Sequence, residues 1–148
     1  KTRKRKMTER FYVPAEGPDV EALNIALYSA SILASERDSE IILVVPALKY
    51  ASGTILNQCI TEAALKKLTK GEVLQYQKVP IRMTSLKTLN PYRDNGVILA
   101  LWAGDKMLSK IDESPDTIGV IALRWVGDDV EKWAKKHGAR QLPTKMRS

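Results

Sequence analysis

The chain has 148 residues, of which 44% are hydrophobic, and a formal net charge of +7. This length suits one domain with a single substantial core, and no apolar run reaches the roughly 20 residues that a membrane-spanning helix needs. Cys59 is the only cysteine, which excludes an internal disulfide and a multi-cysteine metal site, so we expect a reducing, cytoplasmic setting without membrane contact.

The positive charge is concentrated at the two ends of the chain. Residues 1–10 sum to +5 and residues 135–148 sum to +5, whereas the intervening residues sum to −3. We therefore predict a basic N-terminal arm at 1–10, one α/β domain at 11–138 and a basic C-terminal tail at 139–148. Such blocks are usually solvated tails, but they also attract nucleic acid or an acidic protein surface. The residues expected to contact nucleic acid are Lys1, Arg3, Lys4, Arg5, Lys6, Lys145 and Arg147.

The first half of the domain contains two predicted strands and two predicted helices. Residues 11–13 form a short β-prone run, and Pro18 suits the first turn of a mostly buried helix that ends at 36–39. The run IILVV at 41–45 is apolar throughout, which is typical of a strand buried on both faces. A second helix is predicted at 54–68, where apolar residues recur every three to four positions.

The next strand is predicted near an edge of the sheet. Val79, Ile81 and Met83 alternate with more polar residues, and Pro80 is tolerated best at the edge of a sheet. The stretch 85–95 is predicted to be a loop because of its turn-forming Asn, Pro and Asp residues.

A repeat near the C-terminal end predicts the architecture. GVILALWAGD at 96–105 and GVIALRWVGD at 119–128 share the pattern of an apolar strand, a Gly-Asp turn and a following helix. The two helices are predicted at 106–113 and 129–137. Together with the earlier elements, this order predicts a three-layer, doubly wound α/β fold of about five mainly parallel strands, flavodoxin-like or Rossmann-like in its strand order.

In such a fold, ligands bind beyond the carboxyl ends of the strands. The best candidate loop precedes the second helix, where Lys49 and a Ser-Gly-Thr turn could hold a phosphate or carboxylate, although a plain helix cap is the competing interpretation. Trp102 and Trp125 could stack on a flat ligand or close the end of the core. The full candidate ligand set is Glu16, Gly17, Lys49, Tyr50, Ser52, Gly53, Thr54, Ser85, Lys87, Trp102, Asp105, Trp125 and Asp128.

The predicted function is a binding or regulatory domain for a small anionic ligand, with a nucleotide as one form. Neither GxGxxG nor GxxxxGK[ST] occurs where it would indicate a cofactor, so the cofactor is unknown and enzymatic activity stays open. One alternative is a nucleic-acid-associated domain that grips phosphates with its arms and holds a metal at Glu16, Asp105 and Asp128. Helix capping by the two aspartates competes with that metal site, and His137 as the sole histidine excludes a histidine cluster. Another alternative is a protein-interaction or assembly module, and the sequence leaves its oligomeric state open.

Overall fold

The computed structural model describes residues 8–14, 19–48, 56–124 and 128–143, which form seven strands and five helices. The strands are β1 (Glu9–Val13), β2 (Ile41–Val45), β3 (Leu74–Tyr76), β4 (Val79–Ser85), β5 (Val97–Ala103), β6 (Gly119–Arg124) and β7 (Arg140–Gln141). The helices are α1 (Val20–Glu36), α2 (Leu56–Cys59), α3 (Glu62–Thr69), α4 (Asp105–Ile111) and α5 (Asp129–His137). None of these helices combines the length and the apolar composition needed to cross a lipid bilayer.

All seven strands join one sheet in the order β3-β4-β2-β5-β6-β1-β7. Every neighbouring pair is parallel except β3 and β4, which are antiparallel. The prediction of a three-layer α/β fold with a mainly parallel sheet is confirmed. The sheet has two strands more than expected, because β3 and β7 are only three and two residues long and are too short to show a repeating pattern.

The strand order adds a detail that the sequence does not predict. In the flavodoxin-like and Rossmann-like orders the first two strands are neighbours, whereas here β5 and β6 lie between β2 and β1. Helix α1 connects β1 to β2 and contacts both intervening strands. Its 17 residues make it about 25 Å long, which is enough to cross these strands. Nine of its residues are buried, because α1 lies over the middle of the sheet.

Helices cover both faces of the sheet and create two cores. On the α1 face, α1, α2 and α3 pack against strand residues such as Leu43 and Leu99. On the α4 face, α4 and α5 pack against the alternate residues, such as Val44 and Ile98. All five residues of β2 are buried, so β2 is covered on both faces, as its uninterrupted apolar run predicts.

The two repeat copies form the adjacent strands β5 and β6. Each copy begins with a glycine because a larger side chain there would collide with a neighbouring element. A Cβ atom at Gly119 would overlap the Cδ2 atom of Leu33 on α1. A Cβ atom at Gly96 would lie 2.9 Å from the carbonyl oxygen of Glu40, which is closer than van der Waals contact. The absent side chains therefore let α1 and the start of β2 approach the two strands.

The single helix predicted at 54–68 is two helices in the part of it that the structure describes. Helix α2 ends at Cys59, and Thr61 then adopts an extended backbone and caps α3. The Thr61 hydroxyl accepts a hydrogen bond of 3.2 Å from the backbone N–H of Ala64. The apolar period continues across the break, so the Thr-Glu pair at 61–62 is the signal that marks the new helix.

The strand predicted near an edge is β4, which is second from the edge. Strand β3 pairs antiparallel with it and occupies the edge itself. Pairing of β4 with β2 begins at Ile81, one residue after Pro80. The missing N–H of Pro80 therefore removes no hydrogen bond between β4 and the central strands.

The loop between β4 and β5 covers part of the α4 face and is tied to β4 by ion pairs. Leu89 from this loop is buried in the α4-face core. The Nε and Nη2 atoms of Arg82 donate to the two carboxylate oxygens of Glu40 at 2.9 and 3.0 Å, and its Nη1 atom lies 2.8 Å from Oδ1 of Asp94. Hydrogen bonding to Glu40 and then to Asp94 raises the pKa of Arg82 against the opposing effect of burial. These ion pairs, centred on the partly buried Arg82, hold the buried Asp94 and its loop on the sheet.

Candidate functional site

The carboxyl ends of the parallel strands meet at one edge of the sheet, and two places on that edge have the topology of a ligand crevice. The chain leaves β2 toward α2 on the α1 face, and it leaves β5 toward α4 on the opposite face. Because β2 and β5 are neighbours, helices on opposite faces follow two adjacent strand ends, which is the topology of a switch point. Strands β1 and β6 form a second such pair, since α1 and α5 follow them on opposite faces.

Strand β5 has an irregular backbone at the first of these places, which we call the β2–β5 crevice. Its pairing with β6 shifts between Ala100 and Ala103, so β5 contains one extra residue and forms a β-bulge. Within the bulge, Trp102 has a φ angle of +53°. This left-handed conformation is an outlier for a bulky residue and costs roughly 1–2 kcal/mol.

The bulge also decides where the Trp102 side chain lies. Residues in a regular strand alternate between the two faces, but Leu101 and Trp102 both pack into the α1-face core. The indole is 7% exposed. In this conformation Trp102 closes the end of the core, and little of its ring is available for stacking on a ligand.

Many of the predicted site residues lie outside the described ranges. In the ligand set these are Glu16, Gly17, Lys49, Tyr50, Ser52, Gly53, Thr54 and Trp125, and in the arms they are Lys1, Arg3, Lys4, Arg5, Lys6, Lys145 and Arg147. The chain order still relates them to the strands. Residues 49–54 connect β2 to α2, residues 16–17 follow β1, and Trp125 follows β6.

Ser85 and Lys87 belong to the turn that ends β4, next to β2 on the same edge. The Oγ1 atom of Thr88 lies 2.8 Å from Oγ1 of Thr84 and 3.0 Å from Oγ of Ser85. Ser85 is buried and its hydroxyl is engaged within this turn, whereas Lys87 is exposed. Ser85 is therefore the buried last residue of β4. Of the two candidate site residues Ser85 and Lys87, only Lys87 is exposed to solvent.

Asp105 does not cap its own helix. Gly104 occupies the N-cap position of α4, and Asp105 is the first helical residue. The backbone N–H of Asp105 donates to Oδ2 of Asp129 at 3.1 Å. Asp129, the first residue of α5, thus accepts a hydrogen bond from an N-terminal N–H group of α4. This contact joins the two helices that follow the repeat strands.

Asp128 stands at the N-cap position of α5, but its side chain makes no capping hydrogen bond. Its carboxylate lies 3.5 Å from Nζ of Lys132 instead. Glu131, three residues later, accepts a hydrogen bond of 2.7 Å from Arg124. Neither Asp105 nor Asp128 therefore caps its own helix with a side-chain hydrogen bond.

The described part of the chain contains no group of three or more His, Cys, Asp or Glu residues placed to hold a metal ion. Of the three carboxylates in the alternative metal site, Asp105 and Asp128 lie within the described ranges and Glu16 lies outside them.

Asp112, which the sequence analysis missed, joins three elements at the opposite end of α4. It accepts hydrogen bonds from Arg10 at 3.3 Å and from Nε1 of Trp133 at 2.8 Å, and its Oδ2 atom lies 3.2 Å from Nε2 of His137. Asp112, Trp133 and His137 line a groove of about 140 Å³ between α4 and α5, and Arg10 lies beside it. The partners are 21 or more residues away in the chain, so local sequence patterns gave no signal for this contact.

Cys59 has the environment of a packed thiol. Burial raises its pKa, and its Sγ atom lies 3.8 Å from the carbonyl oxygen of Val20. Burial is also the main cause that raises the pKa of Tyr76, followed by the charges of Cys59 and Tyr28. A thiol whose pKa is raised forms little thiolate at neutral pH, which argues against a nucleophilic role.

No protein-family model matches the chain, and comparisons with curated proteins and with solved structures give no significant match.

Proposed function

We propose that this protein is a binding domain that holds a small anionic ligand, such as a nucleotide, at the β2–β5 crevice. The observation that carries the proposal is that the neighbouring parallel strands β2 and β5 are followed by helices on opposite faces of the sheet. Doubly wound folds bind their ligands at such switch points, because the diverging loops leave room between the strand ends. The proposal needs no catalytic group.

The chemistry of the loop after β2 supports an anion. Lys49 supplies a positive charge four residues after the end of β2, and Ser52, Gly53 and Thr54 precede α2. Hydroxyls and closely approachable backbone N–H groups are the donors that phosphate and carboxylate oxygens accept. On the other side of the crevice, the strained backbone of Trp102 supports a functional role for this edge, since such strain concentrates at binding sites.

Thermal unfolding in the presence of inorganic phosphate, AMP and ATP tests the proposal. A ligand at a concentration of 100 times its dissociation constant stabilises the native state by about 2.7 kcal/mol. For a chain of this size, we expect the unfolding temperature to rise by roughly 5–10 °C with the ligand that fits. Lys49→Ala should abolish most of that rise, because it removes the cation proposed to face the anion.

Lys135→Ala is the matched control, because Lys135 is an exposed lysine near the end of α5, away from the carboxyl ends of the strands. Its variant should respond to the ligand as the unmodified chain does. If none of the three anions raised the unfolding temperature, or if Lys49→Ala kept the full rise, the proposed anion site would be wrong.

The charge distribution favours a second candidate function, nucleic-acid binding through the arms. Residues 1–6 contain five basic side chains and no acidic one. We expect oligonucleotide affinity to fall steeply with salt, since each neutralised phosphate of duplex DNA contributes about 0.9 to the logarithmic salt slope. Deleting residues 1–6 should reduce that slope by up to about 4–5. An unchanged slope would exclude the arm from the interaction, and fluorescence anisotropy at several salt concentrations measures it.

A further inference from the structure

The outer side of α1 carries an exposed apolar ridge. Tyr28 and Ile32 lie one turn apart, and they are 48% and 44% exposed. We call these two residues the α1 ridge. Residues at positions i and i+4 of a helix lie on the same side, so the two side chains form one continuous surface. Apolar contacts of this kind on a surface mark sites of protein association more often than isolated exposed side chains do.

A groove of about 300 Å³ lies on each side of the ridge. The first groove runs toward β1 and β7 and is lined by apolar residues that include Phe11, Leu33 and Leu142. The second groove runs toward the turn between β3 and β4 and is lined by Ser31, Ser35 and Gln77. Ile32 and Glu36 line both grooves. The α1 ridge therefore lies between two grooves, and each groove is large enough to hold the side chain of a second copy's Tyr28 or Ile32.

The charges around the ridge are of both signs. Within the described ranges, Glu36 has no ion-pair partner, and it stands in the last turn of α1, where the helix dipole disfavours a carboxylate. Lys78 follows Gln77 at the wall of the second groove, is exposed, and likewise lacks an ion-pair partner in the described part of the chain. An opposite charge brought to Glu36 from outside would relieve the unfavourable interaction with the dipole.

We propose that the outer side of α1 is the interface between two copies of this chain related by a two-fold axis. A two-fold interface brings one patch against itself, so a projection needs a hollow, and a charge needs an opposite charge, within the same patch. The α1 ridge, the flanking grooves and the pair Glu36 and Lys78 meet these conditions together. The small side chain of the exposed Ser35 allows a second helix to approach α1 closely.

Sedimentation velocity across a range of protein concentrations tests the interface. The unmodified chain should form a species of twice the 16.6 kDa chain mass. Ile32→Asp should weaken dimerisation by about 30-fold or more, because it places a carboxylate at the centre of an apolar contact. Ser35→Arg should have the same effect through bulk and charge, since Ser35 is exposed and lines the second groove.

The matched control is Tyr92→Asp. Tyr92 is 66% exposed, more than either ridge residue, but it lies on the loop between β4 and β5 rather than on α1. This variant should dimerise as the unmodified chain does. A chain that stays monomeric at every concentration would overturn the proposal, as would dimers that persist in both α1 variants or dissociate equally with Tyr92→Asp. Circular dichroism checks the fold, and Ser35→Arg decides the result if Ile32→Asp does not fold.

Discussion

Replacing Arg82 with methionine lowers the free energy of unfolding by about 3–5 kcal/mol. Methionine keeps much of the aliphatic volume on β4 but removes the cation that pairs with Glu40 and Asp94. The loss is large because Asp94 is 1% exposed, so its carboxylate stays in the protein interior with only the exposed Arg93 as a nearby cation. Urea denaturation followed by circular dichroism measures the change, as a lower midpoint with an unchanged slope.

Arg93→Ala is the matched control for this result. Its Nε atom also approaches Asp94, at 3.6 Å, but the Arg93 side chain is 72% exposed. Water screens such a pair, so we expect a loss of about 0–1 kcal/mol. Adding Asp94→Asn to Arg82→Met should recover part of the stability, because it removes the unpaired charge. Equal losses from the two arginine variants would contradict the assignment of Arg82 as the essential partner.

Replacing Trp102 with alanine lowers the free energy of unfolding by about 3–5 kcal/mol, which is the range for truncating a large buried aromatic side chain. The more informative comparison is Trp102→Gly. In an ordinary strand, glycine is less stable than alanine by roughly 0.5–1 kcal/mol. At a φ angle of +53° glycine avoids the clash of the left-handed conformation, so we expect Trp102→Gly to be at least as stable as Trp102→Ala.

The neighbouring residue provides the control. Leu101 is buried on the same face, and it is not among the residues with a positive φ angle. At this position the usual order should hold, with Leu101→Gly less stable than Leu101→Ala. If glycine were the less stable replacement at both positions, the left-handed backbone of Trp102 would carry no strain. Chemical denaturation of the four variants measures both differences.

Local patterns predicted the elements that local forces determine. Strand β2 and helix α5 have the predicted bounds, and α1 ends within the predicted range, because continuous apolar runs and helix-ending residues act over a few positions. Gly138, with a φ angle of +67°, ends α5 as its sequence position indicates. The order of the strands depends on which distant segments pair, and no local pattern encodes it.

The candidate site was predicted less completely than the fold. The sequence placed the candidate loops at the carboxyl-end edge of the sheet, since β2 and β5 were both recognised as strands. The bulge at Trp102 was not predicted, because it arises from the mismatch of β5 with β6 rather than from the composition of β5. Asp129 was not expected to cap α4, because its partner Asp105 is 24 residues away.

The position of β1 has a consequence for the synthesis of the chain. Glu9 pairs with Gly119 and Phe11 with Arg140, so β1 finds its neighbours only after more than 100 further residues have left the ribosome. Until then both hydrogen-bonding edges of β1 are open, and open edges are prone to pair with other chains. Such late, long-range pairing slows folding. In an unfinished nascent chain, β1 therefore lacks both of its partner strands, and its edges stay open until the segment from 119 to 141 has been made.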